Sequence, residues 1–299
     1  MKEITTMPSS KKVLVTGATG LIGKELLEPL RQAGFDVFAI TIDQNTPAID
    51  GITWLKGNLF DENFIAKIFS QIQPQYLLNM AWCTTGNYQN SNLNFDFVRA
   101  GLTLLKYFAQ NGGIRAVFAG TCFEYAFKDT PIKETDKIEP HNIYAFCKNN
   151  LHEIASQFCK ANNISFGYGR IFYVYGRNEH PTRLTASIIN ALKAGKTVSV
   201  NHAQLVKDYM YAKDIAAAFV KFLDSKTEGA VNICTGVSVS LAEYAQTVAR
   251  LLGKENLLDL KNLPTTQPAI IIGDNSRLTN EVGFVPQYTL QEALKEIIN

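Results

Sequence analysis

The run Val13-Leu14-Val15-Thr16-Gly17-Ala18-Thr19-Gly20-Leu21-Ile22-Gly23 constrains this chain more than any other stretch. An apolar segment breaks into three glycines spaced three apart, and an amphipathic segment follows. The pattern predicts a strand, a tight turn and a helix N-terminus. Gly17 permits the turn, Gly20 lets backbone approach a phosphate, and Gly23 lets the helix pack close on the strand. The free N–H groups and positive dipole end of such a helix suit the pyrophosphate of a dinucleotide.

With 299 residues the chain can bury a large core, as one big domain or two intimate ones. Apolar residues make up 46% and charged residues 19%, the balance of an ordinary globular protein. A formal net charge of +2 gives no reason to expect nucleic acid or a membrane surface as partner. No apolar run approaches the ~20 residues of a membrane span. Met1 to Ser10 is polar, lacks the apolar centre of a signal peptide and reads as a loose lead-in. The five cysteines (Cys83, Cys122, Cys147, Cys159, Cys234) are scattered and odd in number, which argues against a disulfide framework and a zinc site. A cytoplasmic protein without a metal is expected.

Along the chain, helices are predicted at about 21–33, 61–71, 93–111 and 143–162, with Asp61 capping the second. Between them lie buried strands at Asp36–Ile42, Thr53–Lys56, Gln75–Ala81, Arg115–Ala119 and Ser165–Arg170. This alternation implies an α/β fold with a Rossmann-type, doubly wound parallel sheet. Beyond residue 171 the rhythm changes to helices at about 184–194, 212–223, 241–252 and 290–297 between short strands and loops. A smaller, interwoven C-terminal substrate lobe is therefore expected. The division drawn is 11–172 for a dinucleotide-binding domain, with 208–236 returning to it, and 173–207 with 237–299 for the lobe.

Two further stretches carry chemistry: Ala119-Gly120-Thr121-Cys122-Phe123-Glu124-Tyr125 at a strand end, and Tyr144-Ala145-Phe146-Cys147-Lys148 at a helix start. Tyr144 and Lys148, at i and i+4, share one helix face. Together with the glycine loop these motifs resemble the extended short-chain dehydrogenase/reductase family of nucleotide-sugar epimerases, dehydratases and ketoreductases. The resemblance runs from Val13 to about Ile297. It includes Asn58-Leu59, Met80-Ala81-Trp82, Arg170-Ile171-Phe172-Tyr173-Val174-Tyr175-Gly176, Lys207-Asp208-Tyr209-Met210-Tyr211 and Asn232-Ile233-Cys234-Thr235-Gly236.

The resemblance implies catalysis by Thr121, Tyr144 and Lys148. Tyr144 exchanges a proton with a sugar hydroxyl or ketone, Thr121 hydrogen-bonds that oxygen, and hydride moves between the sugar carbon and a nicotinamide. It implies dinucleotide contacts from Gly17, Thr19, Gly20, Leu21, Ile22, Gly23, Thr41, Asp43, Asn58, Leu59, Ala81, Trp82 and Phe172, with Tyr144 and Lys148 again. Departures narrow the reaction. The family's 4,6-dehydratases carry Asp-Glu after this Thr, where this chain has Cys122-Phe123, so a dehydratase is not expected. Double epimerisation needs a Cys at the position of Phe123, so it is not expected either. A nucleotide-sugar 4-ketoreductase is the first reading. The 4-epimerase, a ketoreductase for a non-nucleotide ketone and a non-catalytic NAD(P)-binding sensor are the alternatives.

Substrate contacts are expected from Thr84, Cys122, Phe123, Tyr173, His180, Arg183 and Lys207, the last two as partners for a nucleotide diphosphate. Trp82, Tyr88 and Tyr125 are further candidates to line the sugar pocket. Cofactor choice turns on the end of the second strand, where an acid would take the ribose 2′-hydroxyl. Thr41 there favours NADP, whereas Asp43 swinging in would favour NAD. The leaning is toward NADP within NAD(P). By resemblance, the helices at 93–111 and 143–162 pair across a two-fold axis into a homodimer.

Overall fold

The alternating pattern of the first half builds a sheet in which every pairing is parallel. The computed structural model describes residues 11–299; the lead-in read over 1–10 lies outside the described residues. The strands β1 (Lys11–Thr16), β2 (Phe35–Thr41), β3 (Ile52–Lys56), β4 (Tyr76–Asn79), β5 (Arg115–Thr121) and β6 (Ser165–Ile171) are joined by α1 (Gly23–Gln32), α2 (Glu62–Ile72), α3 (Leu93–Gln110) and α4 (Ile143–Ala161). The second half holds β7 (Tyr173–Tyr175), α5 (Leu184–Lys193), β8 (Val198–Val200), β9 (Val206–Lys207), β10 (Tyr209–Tyr211), α6 (Ala212–Asp224), β11 (Gly229–Ile233), β12 (Val239–Ser240), α7 (Leu241–Leu252), β13 (Leu258–Leu260), β14 (Ile270–Ile271) and α8 (Leu290–Ile298).

The central sheet has seven strands in the order β11-β6-β5-β4-β1-β2-β3. Its growth reverses between β1 and β4, and that reversal opens a crevice at the carboxyl ends of the strands. The inner strands are buried on both faces, whereas the edge strand β3 is only half-buried. Val13 and Val15 pack with Leu26, Leu30 and Phe219 on the side of α1 and α6, while Leu14 packs with Phe69, Leu104 and Leu151 on the side of α2, α3 and α4. All of these are fully or almost fully buried, so truncating Phe69 to alanine should cost about 3–5 kcal/mol.

Local chemistry sets the element ends. Asp61 accepts hydrogen bonds from the Asn63 and Phe64 N–H groups at 3.0 and 3.2 Å, capping α2 as expected. The buried Arg115 guanidinium donates to the carbonyls of Phe222, Leu223 and Thr227 at 2.7–2.9 Å. It satisfies orphan acceptors at the end of α6 and ties that helix to β5. Helix α1 begins at Gly23 rather than at Leu21, which leaves Gly17 to Ile22 as loop. Strand β2 ends at Thr41, and Ile42 beyond it is 73% exposed.

A separate apolar cluster joins α5, α7 and α8 around Tyr175, Tyr209, Tyr211 and Tyr244. The small sheets β10-β7, β12-β9-β14 and β13-β8 belong to this half of the chain. Among the described residues no helix is long and apolar enough to cross a membrane. Nor do any three His, Cys, Asp or Glu side chains there form a group able to hold a metal ion. All five cysteines are free.

Candidate active site

The crevice begins at the glycine loop. Gly17 has φ +71°, and a Cβ there would meet the Ala81 nitrogen at 2.7 Å; at Gly23 it would meet the Ala18 Cα at 2.7 Å. Glycine is thus required once for conformation and twice for close approach. The strand ends β1 and β4 are pinned together by Thr16 Oγ1, which donates to Asn79 Oδ1 at 2.6 Å and accepts from the Ala81 N–H at 3.1 Å. The α1 N-cap, Ile22, provides no side-chain cap. The Lys24 and Glu25 N–H groups of its first turn are taken by the Gly20 and Ile22 carbonyls, and the loop backbone before them, with the exposed Thr19 and Gly20, fits a pyrophosphate.

At the outer end of the crevice Thr41 is buried and its Oγ1 accepts from the Asp43 N–H at 3.0 Å. The Asp43 carboxylate is exposed and accepts from the Asn45 N–H at 2.9 Å. Lys56 lies in register with Thr41 on the neighbouring strand, and its Nζ donates to the Gln44 carbonyl at 2.6 Å. This cation beside the strand end is invisible in the sequence, because only the β2–β3 register brings it there. Asn58 is exposed and turns back to accept from the Phe60 N–H at 2.9 Å, and Leu59 packs against the sheet core.

Thr121, the last residue of β5, stands beside Tyr144 and Lys148 from the first turns of α4. All three are buried, at 4%, 7% and 4% exposure. Burial pushes the Tyr144 phenol up, and a hydrogen bond with the Thr121 side chain opposes that shift. Burial also drives Lys148 down to about 7. Its Nζ donates to the Ala119 carbonyl at 2.6 Å and lies 3.9 Å from the Trp82 ring centroid. The Tyr144 ring meets Tyr88 edge-on at 5.1 Å and Trp82 at 6.1 Å. Trp82 is itself fixed by donation from its Nε1 to Asn94 Oδ1 at 2.7 Å.

Behind Thr121 lies a buried polar network that the motifs contained without revealing. Glu124 Oε1 accepts from the Thr121 N–H and from the Tyr168 hydroxyl, each at 2.9 Å, and Glu124 Oε2 accepts from Arg170 Nε at 2.7 Å. Arg170 also donates to the Tyr125 hydroxyl at 3.0 Å, and Tyr125 donates to Asn232 Oδ1 at 2.7 Å. Tyr125 is therefore fully buried in the protein interior and does not line a sugar pocket, because its hydroxyl is spent inside this network.

The remaining expected substrate contacts fall into two groups. Phe123 and Tyr173 retain open surface and pack edge-on at 6.0 Å. Cys122 turns into a buried cluster with Cys234 and Ile271, and so does Phe172, against the expectation that it meets the dinucleotide. Lys207 is buried, its pKa lowered by burial to about 8; its Nζ donates to the Pro268 carbonyl at 2.8 Å and lies 5.6 Å from the Tyr173 ring. The adjacent Asp208 carboxylate accepts from the Thr235 and Gly236 N–H groups at 2.9 Å each, fixing the loop after β11. Arg183 donates to the Thr84 carbonyl at 3.4 Å, bridging α5 to the loop after β4, while the exposed His180 pairs with Thr182 at 2.8 Å.

A Rossmann-type sheet with an open glycine loop and a Thr-Tyr-Lys cluster at its carboxyl edge defines a nucleotide-dependent enzyme of the short-chain dehydrogenase/reductase class. The chain belongs to the NAD dependent epimerase/dehydratase family, whose model matches residues 13–234. It is 25% identical over 233 residues to a dTDP-6-deoxy-L-talose 4-dehydrogenase (NAD(+)) of Aggregatibacter actinomycetemcomitans, covering 77% of this chain and 86% of that protein. It is also 25% identical over 304 residues to a UDP-glucose 4-epimerase of Lacticaseibacillus casei, covering 92% of each. The UDP-glucose 4-epimerase of Thermotoga maritima, solved with UDP-glucose, superimposes with a TM-score of 0.87 at 20% identity, over 96% of this chain and 97% of that one.

Proposed function

We propose that this enzyme is a nucleotide-sugar 4-ketoreductase in which Tyr144 delivers the proton, Thr121 holds the carbonyl oxygen and Lys148 orients the dinucleotide. The observation that carries the reading is the pairing of Thr121 with a buried Tyr144 whose phenol is held protonated. A loaded acid beside a hydroxyl is what reduction of a ketone requires. A bound nicotinamide dinucleotide supplies the hydride. Cys122 is buried and Phe123 cannot titrate, so the strip beside Thr121 offers no second acid or base for elimination or epimerisation. The name of the Aggregatibacter relative, a sugar-nucleotide 4-dehydrogenase, supports redox at the same carbon.

The same reading assigns 11–172 with 208–236 to the dinucleotide, and 173–207 with 237–299 to the sugar nucleotide, whose diphosphate meets Lys207 and Arg183. NADP is the preferred dinucleotide, because Thr41 stands at the β2 end and Lys56 lies alongside. A homodimer forms through α3 and α4, where Phe95, Phe146 and Ile154 are 57%, 53% and 48% exposed. A cytoplasmic location completes the reading. The test follows oxidation of NADPH and NADH with nucleotide-linked 4-keto sugars. Stoichiometric oxidation upholds it, whereas interconversion of 4-epimers without net dinucleotide turnover overturns it in favour of an epimerase.

A further inference from the structure

Glu124 is the one charged side chain between Thr121 and Tyr125, and it is fully buried. It closes a capping box with Thr121 over the single turn Cys122–Glu124. Its Oε1 accepts from the Thr121 N–H at 2.9 Å, while Thr121 Oγ1 accepts from the Phe123 N–H at 3.3 Å. The backbone and the hydroxyl of Thr121 are both fixed in this way, and the hydroxyl proton stays free to donate. The same Oε1 lies 2.9 Å from the Tyr168 hydroxyl, which is also 2.9 Å from the Lys148 carbonyl. Gly120 makes room for this bridge, because a Cβ there would strike the Tyr168 ring. From its other side His152, one turn beyond Lys148, stacks on that ring at 4.2 Å.

Glu124 Oε2 pairs with Arg170 Nε at 2.7 Å, and the pair is oriented. The carboxylate favours the proton on Lys148 and on Tyr144, whereas the guanidinium disfavours it on His152. The other titratable groups here are Cys122 and Tyr168, pushed up by burial, and Tyr88, packed on Tyr144. Charges on the elements packed against α4 are engaged elsewhere. Arg115, at the start of β5, donates to carbonyls of α6, and α3 carries the exposed pairs Asp96–Arg99 and Lys106–Glu62. We propose that Glu124 is the positioning residue of this site: it fixes Thr121 from behind, links it through Tyr168 to Lys148, and sets one buried negative charge beside the proton-bearing groups. Its effect on turnover rests on the ketoreductase reading, whereas its effect on Lys148 does not.

The test follows Trp82 emission against pH in the full-length Trp54→Phe protein, where the indole senses the adjacent Lys148 ammonium without any substrate. The midpoint near 7 should fall by about one pH unit in Glu124→Gln. Glu124→Gln combined with Arg170→Met strands no buried charge, and it should move the midpoint the same way if the single variant fails to fold. Glu124→Asp keeps the charge and should hold the midpoint nearer to 7. Phe69→Ala, a core truncation on α2, should leave it in place. An unmoved midpoint in whichever Gln variant folds, an equal shift in Phe69→Ala, or no midpoint in the parent protein overturns the proposal. With nucleotide-linked 4-keto sugars, the same Gln variant should lose about 10–100-fold in kcat with KM within about threefold. A kcat no lower than that of Phe69→Ala overturns the positioning of Thr121. A shifted midpoint in a protein that reduces no such sugar upholds the link from Glu124 to Lys148 and overturns the ketoreductase.

Discussion

Lys148 Nζ lies 3.9 Å from the centroid of the Trp82 indole while donating a 2.6 Å hydrogen bond to the Ala119 carbonyl. Burial lowers this lysine to about 7, and the indole face favours the cation within that shifted range. The ammonium is present below about pH 7 and lost above it. Trp82 emission should therefore titrate with a midpoint near 7 in a Trp54→Phe background, which removes the only other tryptophan. Lys148→Met should abolish that titration. The unfolded chain holds this proton up to about 10.5, so Lys148 costs stability below about pH 7 and the cost fades as pH rises. Lys148→Met should accordingly raise Tm more at pH 6 than at pH 9; a uniform shift would contradict the assignment.

Tyr144→Phe removes the phenol paired with Thr121 and leaves the ring packed on Tyr88 and Trp82. Turnover should fall by about 10²–10⁴-fold, the range for a positioned general acid. Dinucleotide affinity, measured by calorimetry, should change by less than about threefold. Thr121→Val should cost less, about 10–100-fold, because Tyr144 remains. Near-normal turnover in Tyr144→Phe would remove Tyr144 from the chemistry.

These groups were legible in sequence for a physical reason: each lies at an element boundary with a short, fixed spacing. Gly17 and Gly23 answer to a turn and a close contact, and Tyr144 and Lys148 are one helical turn apart. The partners that hold them are far apart along the chain. Glu124 and Arg170 are separated by 46 residues, and Thr16 and Asn79 by 63. Only the sheet order β6-β5-β4-β1 brings these pairs together. The strands β7 to β10 and β12 to β14 are two or three residues long, too short for an alternating pattern to show. The end of β2 is legible to within one residue, yet Lys56 beside it depends on a register that a single strand does not encode.

The Glu124–Arg170 pair supports both stability and geometry. Its side chains are 0% and 3% exposed, and removing one partner leaves the other buried without its counter-charge. Arg170→Met should destabilise the protein by about 3–5 kcal/mol in urea unfolding. Glu124→Gln keeps an acceptor for the Thr121 N–H but strands the buried Arg170 guanidinium without its counter-charge, so it too should cost about 3–5 kcal/mol. A loss below about 1 kcal/mol in Arg170→Met would show that the pair contributes little to the fold.

Lys207 gives the substrate side its own pH dependence. Its pKa is lowered by burial to about 8, and its hydrogen bond to the Pro268 carbonyl leaves ammonium donors for an anion. A diphosphate binds the ammonium form, so binding raises the pKa of this lysine and affinity falls as the free site deprotonates. Between pH 7 and pH 9, nucleoside-diphosphate affinity should fall by about tenfold, the factor expected when a group with pKa near 8 must be charged. Lys207→Met should weaken binding at pH 7 by about tenfold or more and flatten the profile. Lys207→Arg should restore the charge across the whole range, because a guanidinium does not deprotonate near pH 9. Calorimetry with the nucleoside diphosphate alone measures all three proteins. A profile in the wild-type protein as flat as that of Lys207→Met would place the diphosphate elsewhere.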